Sequence, residues 1–95
     1  MRVAIQSFKC SDTESLFNGI RVKRFVNIES VARRKLMAVH AAVDLRDLTA
    51  PPGNRLEALK GDRIGQHSIR INDQFRVCFV WTMQGPADVE IVDYH

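Results

Sequence analysis

A chain of 95 residues that is 45% hydrophobic and 26% charged has the composition of one folded domain and is too short for a second. This balance argues against intrinsic disorder, and no apolar run approaches the ~18 residues of a transmembrane helix. The formal net charge of +3, with ten arginines among the 14 basic residues, favours a partner that carries phosphate groups. We therefore expect a single domain, residues 1–95, that does not enter a membrane.

The two cysteines, Cys10 and Cys78, are far apart and occur in no CxxC or Cys/His ligand spacing. The sequence therefore indicates neither a zinc site nor a disulfide framework, and we expect no metal and no other cofactor. The N-terminus shows no apolar run typical of a secretion signal. These features together favour a cytoplasmic protein.

The first half of the chain predicts one strand and two helices. Alternation over Arg2–Phe8 indicates a short strand at a sheet edge. Ser11, with Glu14 three positions later, resembles a capping box and predicts a short helix that ends at Phe17. From Asn27 to Val43 apolar residues recur every three or four positions, which predicts a longer amphipathic helix. Its apolar stripe comprises Ile28, Val31, Ala32, Leu36, Val39 and Val43.

Two arginines, Arg33 and Arg34, fall outside this stripe. The simpler interpretation is a solvated helix face whose long side chains cover the edge of the core. The alternative is a contact with RNA or with an acidic partner.

The second half predicts an antiparallel sheet. Consecutive prolines at Pro51-Pro52 end helical structure, and from Arg55 onward the apolar period changes to two. Helices followed by strands give an α+β fold in which the N-terminal helices pack on one face of the sheet and the other face is open. The predicted strands are Arg55–Leu59, His67–Ile71, Phe75–Trp81 and Val89–Val92, with turns at Asn72-Asp73-Gln74 and Gln84-Gly85-Pro86.

Three groups of polar residues stand out against this fold. The apolar residues of the strand Phe75–Trp81 are the odd-numbered ones, so Arg76 should point to the open face. Arg76 is either a phosphate ligand or a surface cation paired with a carboxylate such as Glu90. The second group, Lys60-Gly61-Asp62-Arg63, is by composition an ordinary turn, although two cations in a turn can also hold a phosphate.

The third group is the C-terminal triplet Asp93-Tyr94-His95. An imidazole titrates near pH ~6.5, which suits His95 to general acid or base catalysis, and Tyr94 could stack on a nucleobase or donate to a phosphate. A frayed terminus is the alternative, but the apolar residues Ile91 and Val92 should tether the triplet to the sheet. Cations together with a proton-transfer group suggest RNA cleavage.

In this order and spacing, the segments resemble the HigB-like toxins of bacterial type II toxin–antitoxin systems, within the RelE superfamily of ribosome-dependent mRNA endonucleases. The resemblance covers nearly the whole chain and implies a RelE-like fold. It is carried by Ser7-Phe8-Lys9, Arg55–Arg63, Ser68–Asn72, Gln74–Val77 and Asp93-Tyr94-His95.

The resemblance implies metal-independent cleavage of mRNA in the A site of the 30S subunit, by attack of a ribose 2′-hydroxyl on the adjacent phosphate, which inhibits translation and growth. By position, Lys60 and Arg76 would stabilise the phosphate. Tyr94 would position or stack the nucleotide, His95 would be the acid or base, and Asp93 would orient His95 or the terminal backbone. A basic RNA-binding face would comprise Arg33, Arg34, Arg63, Arg70 and Arg76.

One position departs from the resemblance: several relatives carry a histidine where this chain has Glu57. Either Glu57 supplies the proton transfer or His95 works without that partner. The implied partners are the ribosome with its mRNA and a HigA-like helix-turn-helix antitoxin, through which alone the chain would contact operator DNA. The alternatives are a non-catalytic RNA- or partner-binding module on the same fold, and a subunit that only serves the antitoxin's binding to DNA.

Overall fold

The fold is α+β, with two α-helices and a four-stranded antiparallel sheet in the part of the chain that the computed structural model describes, residues 4–94. The strands lie in the sheet in chain order. This confirms the predicted fold class; the predictions for Arg2, Val3 and His95 lie outside the described residues. The elements are α1 (Ser11–Phe17), α2 (Glu29–Ala41), β1 (Glu57–Ala58), β2 (His67–Arg70), β3 (Phe75–Thr82) and β4 (Gly85–Asp93). Among these residues no helix has the length and apolar character needed to cross a membrane.

Helix α1 ends at Phe17 as predicted, but it already starts at Ser11, and its capping differs from the prediction. The N-cap residue is Cys10, and no side chain forms a capping hydrogen bond there. The Glu14 N–H donates to the Cys10 carbonyl at 3.1 Å, the first bond of the helix. Because Ser11 already has a place inside the helix, its side chain cannot act as the cap. The predicted capping box of Ser11 and Glu14 is therefore wrong.

Helix α2 buries most of its predicted stripe against the sheet. Ala32, Leu36 and Val39 are fully buried, whereas Val43 is 70% exposed. The chain becomes extended at Ala42, which ends the helix before Val43, so the prediction that Val43 belongs to the core is wrong. The sheet residues that share the core with the helices are Ile69, Ile71, Val77, Phe79, Val89 and Ile91.

The opposite face of the sheet carries mainly polar side chains. Residues paired across antiparallel strands share a face, and side chains along one strand alternate between faces. Since Val77 and Phe79 lie in the core, their neighbours Arg76 and Cys78 point to the second face. We call this second face the open face. Its central side chains are Ser68, Arg70, Arg76, Cys78 and Glu90.

Strand β4 starts four residues earlier than predicted, at Gly85 in place of Val89, and it contains a bulge. From Glu90 to Ala87 it advances three residues while β3 advances two, from Cys78 to Val80. Asp88, next to the bulge, has a φ of +52°. The extra residue bends the strand, and the chain near Phe8 pairs there: Phe8 and Val89 form an isolated parallel bridge. Within residues 4–94 the predicted first strand is thus a single bridge at the edge of β4.

Candidate active site

Arg76 is the most firmly held cation of the open face. Its side chain is 14% exposed. The Nε–H donates to Ser68 Oγ at 2.6 Å, and Nη2 donates to the Arg55 carbonyl at 2.6 Å. The nearest carboxylate is that of Glu57, 3.8 Å from Nε. Glu90, which the sequence offered as an example of a carboxylate partner for Arg76, is instead held by another arginine.

That arginine is Arg63, which reaches the open face from the turn between β1 and β2. Its Nη1 donates to Glu90 Oε1 at 2.8 Å and to Gln66 Oε1 at 3.1 Å. The hydrogen bond with Glu90 raises the pKa of Arg63 above its ordinary value. Lys9 Nζ lies 4.0 Å from the same carboxylate oxygen. Arg63 is therefore a fixed, permanently charged group beside the centre of the sheet.

Tyr94 lies over the same region and contacts a buried thiol. Cys78 Sγ and Tyr94 Oη are 3.8 Å apart, and Cys78 is fully buried. Loss of hydration and the neighbouring thiol raise the pKa of Tyr94, an effect that the charges of Arg63 and Arg76 partly oppose. Its phenol is consequently protonated at neutral pH and can donate a hydrogen bond to a phosphate oxygen. Arg63 and Arg76 thus both act electrostatically on Tyr94.

Glu57 of β1 lies beside this group, and Lys60 follows β1 in the chain. Lys60 is exposed and precedes the turn Gly61–Arg63, in which Gly61 has a φ of +62° that favours glycine. The Glu57 side chain is 58% exposed and lies beside Arg76. The structure thus places Glu57 as the charge neighbour of the best-buried arginine.

Asp93 and Tyr94 adjoin in sequence but make contacts in different places. Gln74 Nε2, in the turn between β2 and β3, donates to Asp93 Oδ2 at 3.1 Å. Asp93 is paired with Phe75 and alternates with Val92, which is paired with Arg76. Asp93 therefore points away from the face that carries Tyr94 and Arg76. His95 lies outside the described residues.

Comparison with known proteins identifies the family of this chain. Residues 7–95 match a family model described as the RelE-like toxin of the type II toxin-antitoxin system HigB. This chain belongs to the HigB-like toxin family. Over 90 residues, 93% of this chain and 94% of the relative, it is 47% identical to "Toxin HigB-1" of Vibrio cholerae serotype O1. It is also 38% identical over 53 residues to an uncharacterised protein of Haemophilus influenzae, a match that spans 56% of this chain and 52% of that protein.

Membership of the family confirms the resemblance, and a type II system implies an antitoxin as partner. The predicted basic face of this HigB-like toxin is nevertheless divided in the structure. Arg33 donates to the carbonyls of Leu16 and Ile20 at 3.0 and 3.2 Å and to Glu29 at 2.9 Å. These bonds attach α2 to the end of α1, in the helix layer. The prediction of one continuous face is wrong because Arg33 belongs to this layer and not to the open face.

Arg34 and Arg70 border a second basic group of the toxin. Arg34 is exposed on α2, and Arg70 forms an ion pair with Asp73. Burial, followed by the charges of Arg34 and Arg70, lowers the pKa of Lys35, whose Nζ donates to Asn54. Arg70 also lies directly opposite Arg76 in the sheet. Arg70 thus links the open face with the basic residues of α2.

Two groups of this site, the Ser68 hydroxyl and the Arg55 carbonyl, were not predicted from the sequence. A signal for Ser68 was present: it is a small polar residue on a strand, two positions from Arg70 and on the same face. The Arg55 carbonyl had no such signal, since it depends on the left-handed conformation of Arg55, with φ +44°.

Proposed function

We propose that this HigB-like toxin is an endoribonuclease that cleaves mRNA in the A site of translating ribosomes and thereby stops growth. The observation that carries the proposal is the group formed by Arg63, Arg76 and Tyr94 on the open face. Two fixed cations and a neutral phenol suit a phosphodiester whose negative charge increases during reaction.

The proposed reaction is attack of a ribose 2′-oxygen on the adjacent phosphorus. The P–O2′ bond forms while the P–O5′ bond breaks, which leaves a 2′,3′-cyclic phosphate and a free 5′-hydroxyl. A base accepts the proton of the 2′-hydroxyl and an acid supplies one to the leaving 5′-oxygen. Charge on the non-bridging oxygens is stabilised by Arg76 and Lys60, with Arg63 beside them. A single positioned donor of this kind contributes roughly 10²- to 10³-fold in rate.

For proton transfer we propose His95; Asp93, whose side chain points away from the open face and is bound by Gln74, would orient the terminal backbone that carries it. Glu57 is the alternative proton-transfer group, because its exposed carboxylate is beside Arg76. Tyr94 would stack on the nucleotide or donate to its phosphate.

The proposed partners follow from this activity and from the family. They are the 30S A site with its mRNA, and a HigA-like helix-turn-helix antitoxin that inactivates the toxin and carries it to operator DNA. Translation takes place in the cytoplasm, where the toxin would act. Arg34 and Arg70 would add contacts to RNA phosphates, and Arg33 would support them from the helix layer.

The test is inducible expression of the wild type, Arg76→Ala and His95→Ala without antitoxin, followed by mapping of mRNA 5′ ends and measurement of ribosome association. Arg46→Ala is a matched control, because Arg46 is an exposed arginine of a 3₁₀ turn, Leu45–Leu48, that contributes nothing to the open face. We expect growth arrest and new 5′ ends within translated codons for the wild type and the control only. Toxicity that falls only in proportion to ribosome binding would instead support a non-catalytic binding module.

A further inference from the structure

Arg76 is held along one side of its guanidinium group. An arginine has five N–H donors, and the bonds to Ser68 and Arg55 engage those on Nε and Nη2. Within residues 4–94 Nη1 makes no hydrogen bond, so the described residues leave its donors for a ligand. The contacts therefore restrict a long, rotamer-rich side chain and leave one side of the group for a phosphate.

Ser68 is explained by this arrangement and by little else. Its side chain is fully buried, and a buried hydroxyl is unfavourable unless it forms hydrogen bonds. The bond that Ser68 Oγ forms is the one from Arg76 Nε at 2.6 Å. Ser68 lies opposite Cys78, and Arg76 lies opposite Arg70. Ser68 and Arg76 are therefore diagonal neighbours on the same face of adjacent strands.

The second anchor is a carbonyl in strained backbone. Arg55 follows the turn Pro52–Asn54 and has φ +44° and ψ +56°, a left-handed conformation that non-glycine residues rarely adopt. This conformation aims the Arg55 carbonyl at Arg76 Nη2, 2.6 Å away. Strain of this kind persists only where the surrounding structure enforces it, and it concentrates at functional sites.

We propose that Ser68 is a positioning residue, which together with the strained Arg55 carbonyl presents the Nη1 side of Arg76 to the scissile phosphate. This inference rests on the proposed nuclease function. A guanidinium that is oriented before the substrate arrives does not have to be ordered during the reaction, so its contribution should appear in kcat.

The experiment is a double-mutant cycle of Ser68→Ala and Arg76→Ala, measured as cleavage of mRNA on programmed ribosomes. Ser68→Ala should lower kcat roughly 10-fold with KM unchanged, since one hydrogen bond to a charged group is lost. In the Arg76→Ala background the same substitution should have no effect, because Ser68 acts only through Arg76. Thr13→Val is the matched control: it removes another fully buried hydroxyl, in α1, and should leave kcat unchanged.

A second measurement needs no catalysis. In ¹⁵N NMR spectra the Arg76 Nε–H should exchange slowly in the wild type and in Thr13→Val, and rapidly in Ser68→Ala. Slow exchange in Ser68→Ala, or an equal loss of kcat from Ser68→Ala with and without Arg76, would overturn the inference. If the wild type does not cleave RNA, the proposed function fails, while the NMR result still decides whether Ser68 fixes Arg76.

Discussion

Replacement of Glu90 by glutamine should destabilise the protein, because Glu90 holds Arg63 against the sheet. The substitution keeps the size and shape of the side chain and removes its charge. Arg63 and Lys9 then lose a carboxylate at 2.8 and 4.0 Å, respectively. The two positive charges that remain then repel one another.

The magnitude follows from the exposure of the pair. Unit charges 2.8 Å apart attract by roughly 6 kcal/mol at an effective dielectric constant of ~20, most of which is offset by desolvation and side-chain ordering. Exposed pairs contribute about 0.2–1 kcal/mol, whereas removal of one partner of a fully buried pair costs about 3–5 kcal/mol. Glu90 is 15% exposed and Arg63 is 31% exposed, so this pair lies between these cases. We expect a loss of about 2 kcal/mol in the free energy of unfolding.

The assay is urea unfolding at pH 7 of the wild type, Glu90→Gln, Arg63→Met and the double variant, at low salt and in about 1 M NaCl. The coupling energy of the cycle should be positive and should decrease in high salt, because salt screens the pair. A coupling energy below about 0.3 kcal/mol at low salt would refute the argument, since the stability effects of two substitutions that do not interact add within that error. Although Glu90→Gln should lower stability, it should raise the affinity for ribosomes, because the open face becomes more positive.

Three other substitutions test the core and the buried thiol. Thr13→Val should cost about 1–3 kcal/mol in urea unfolding, because Thr13 Oγ1 accepts the Ile91 N–H at 3.0 Å inside the protein; an unchanged midpoint would contradict this. Leu36→Ala, at a fully buried position of α2, should lower the free energy of unfolding by about 2–5 kcal/mol. A smaller loss in thermal unfolding would contradict this. Burial raises the pKa of Cys78. As pH rises, the unfolded state therefore loses the Cys78 thiol proton before the folded state does. The contribution of this pKa difference to the free energy of unfolding is complete below the unfolded-state pKa of about 8.5 and is lost as pH rises through the folded-state pKa. The free energy of unfolding should fall by up to about 1.4 kcal/mol per pH unit there, and Cys78→Ala should remove that slope; equal slopes in urea titrations from pH 7 to 10 would refute the assignment.

Local patterns predicted which way side chains point. The period of two in β3 correctly placed Val77 and Phe79 in the core and Arg76 on the other face. The stripe of α2 correctly identified Leu36 and Val39 as buried. Both predictions succeed because backbone geometry alone determines the direction of a side chain within a regular element.

The partners of the same side chains were not predictable in this way. Glu90 lies within reach of β3, and the sequence made it one candidate partner of Arg76, yet it binds Arg63, which is 27 residues away in the chain. The choice depends on how the turn before β2 folds over the sheet and on the bulge that shifts β4. Arg33 shows the same limit: its position off the stripe indicated a solvated face, but carbonyls at the end of α1 and beyond it bind its guanidinium.

The C-terminal triplet shows why a cluster in sequence is not by itself a cluster in space. Asp93 and Tyr94 are neighbours, but on an extended chain neighbouring side chains point in opposite directions, so Gln74 binds one and Cys78 lies beside the other. The groups that Tyr94 meets on the open face come from β3 and from the turn before β2, not from the triplet. Residue types at the end of the chain therefore suggested the chemistry, whereas the convergence of Arg63, Arg76 and Tyr94 required the sheet to bring distant segments together. A site assembled in this way depends on register, because a shift of one residue in β4 would move Tyr94 to the core side and leave both arginines without it.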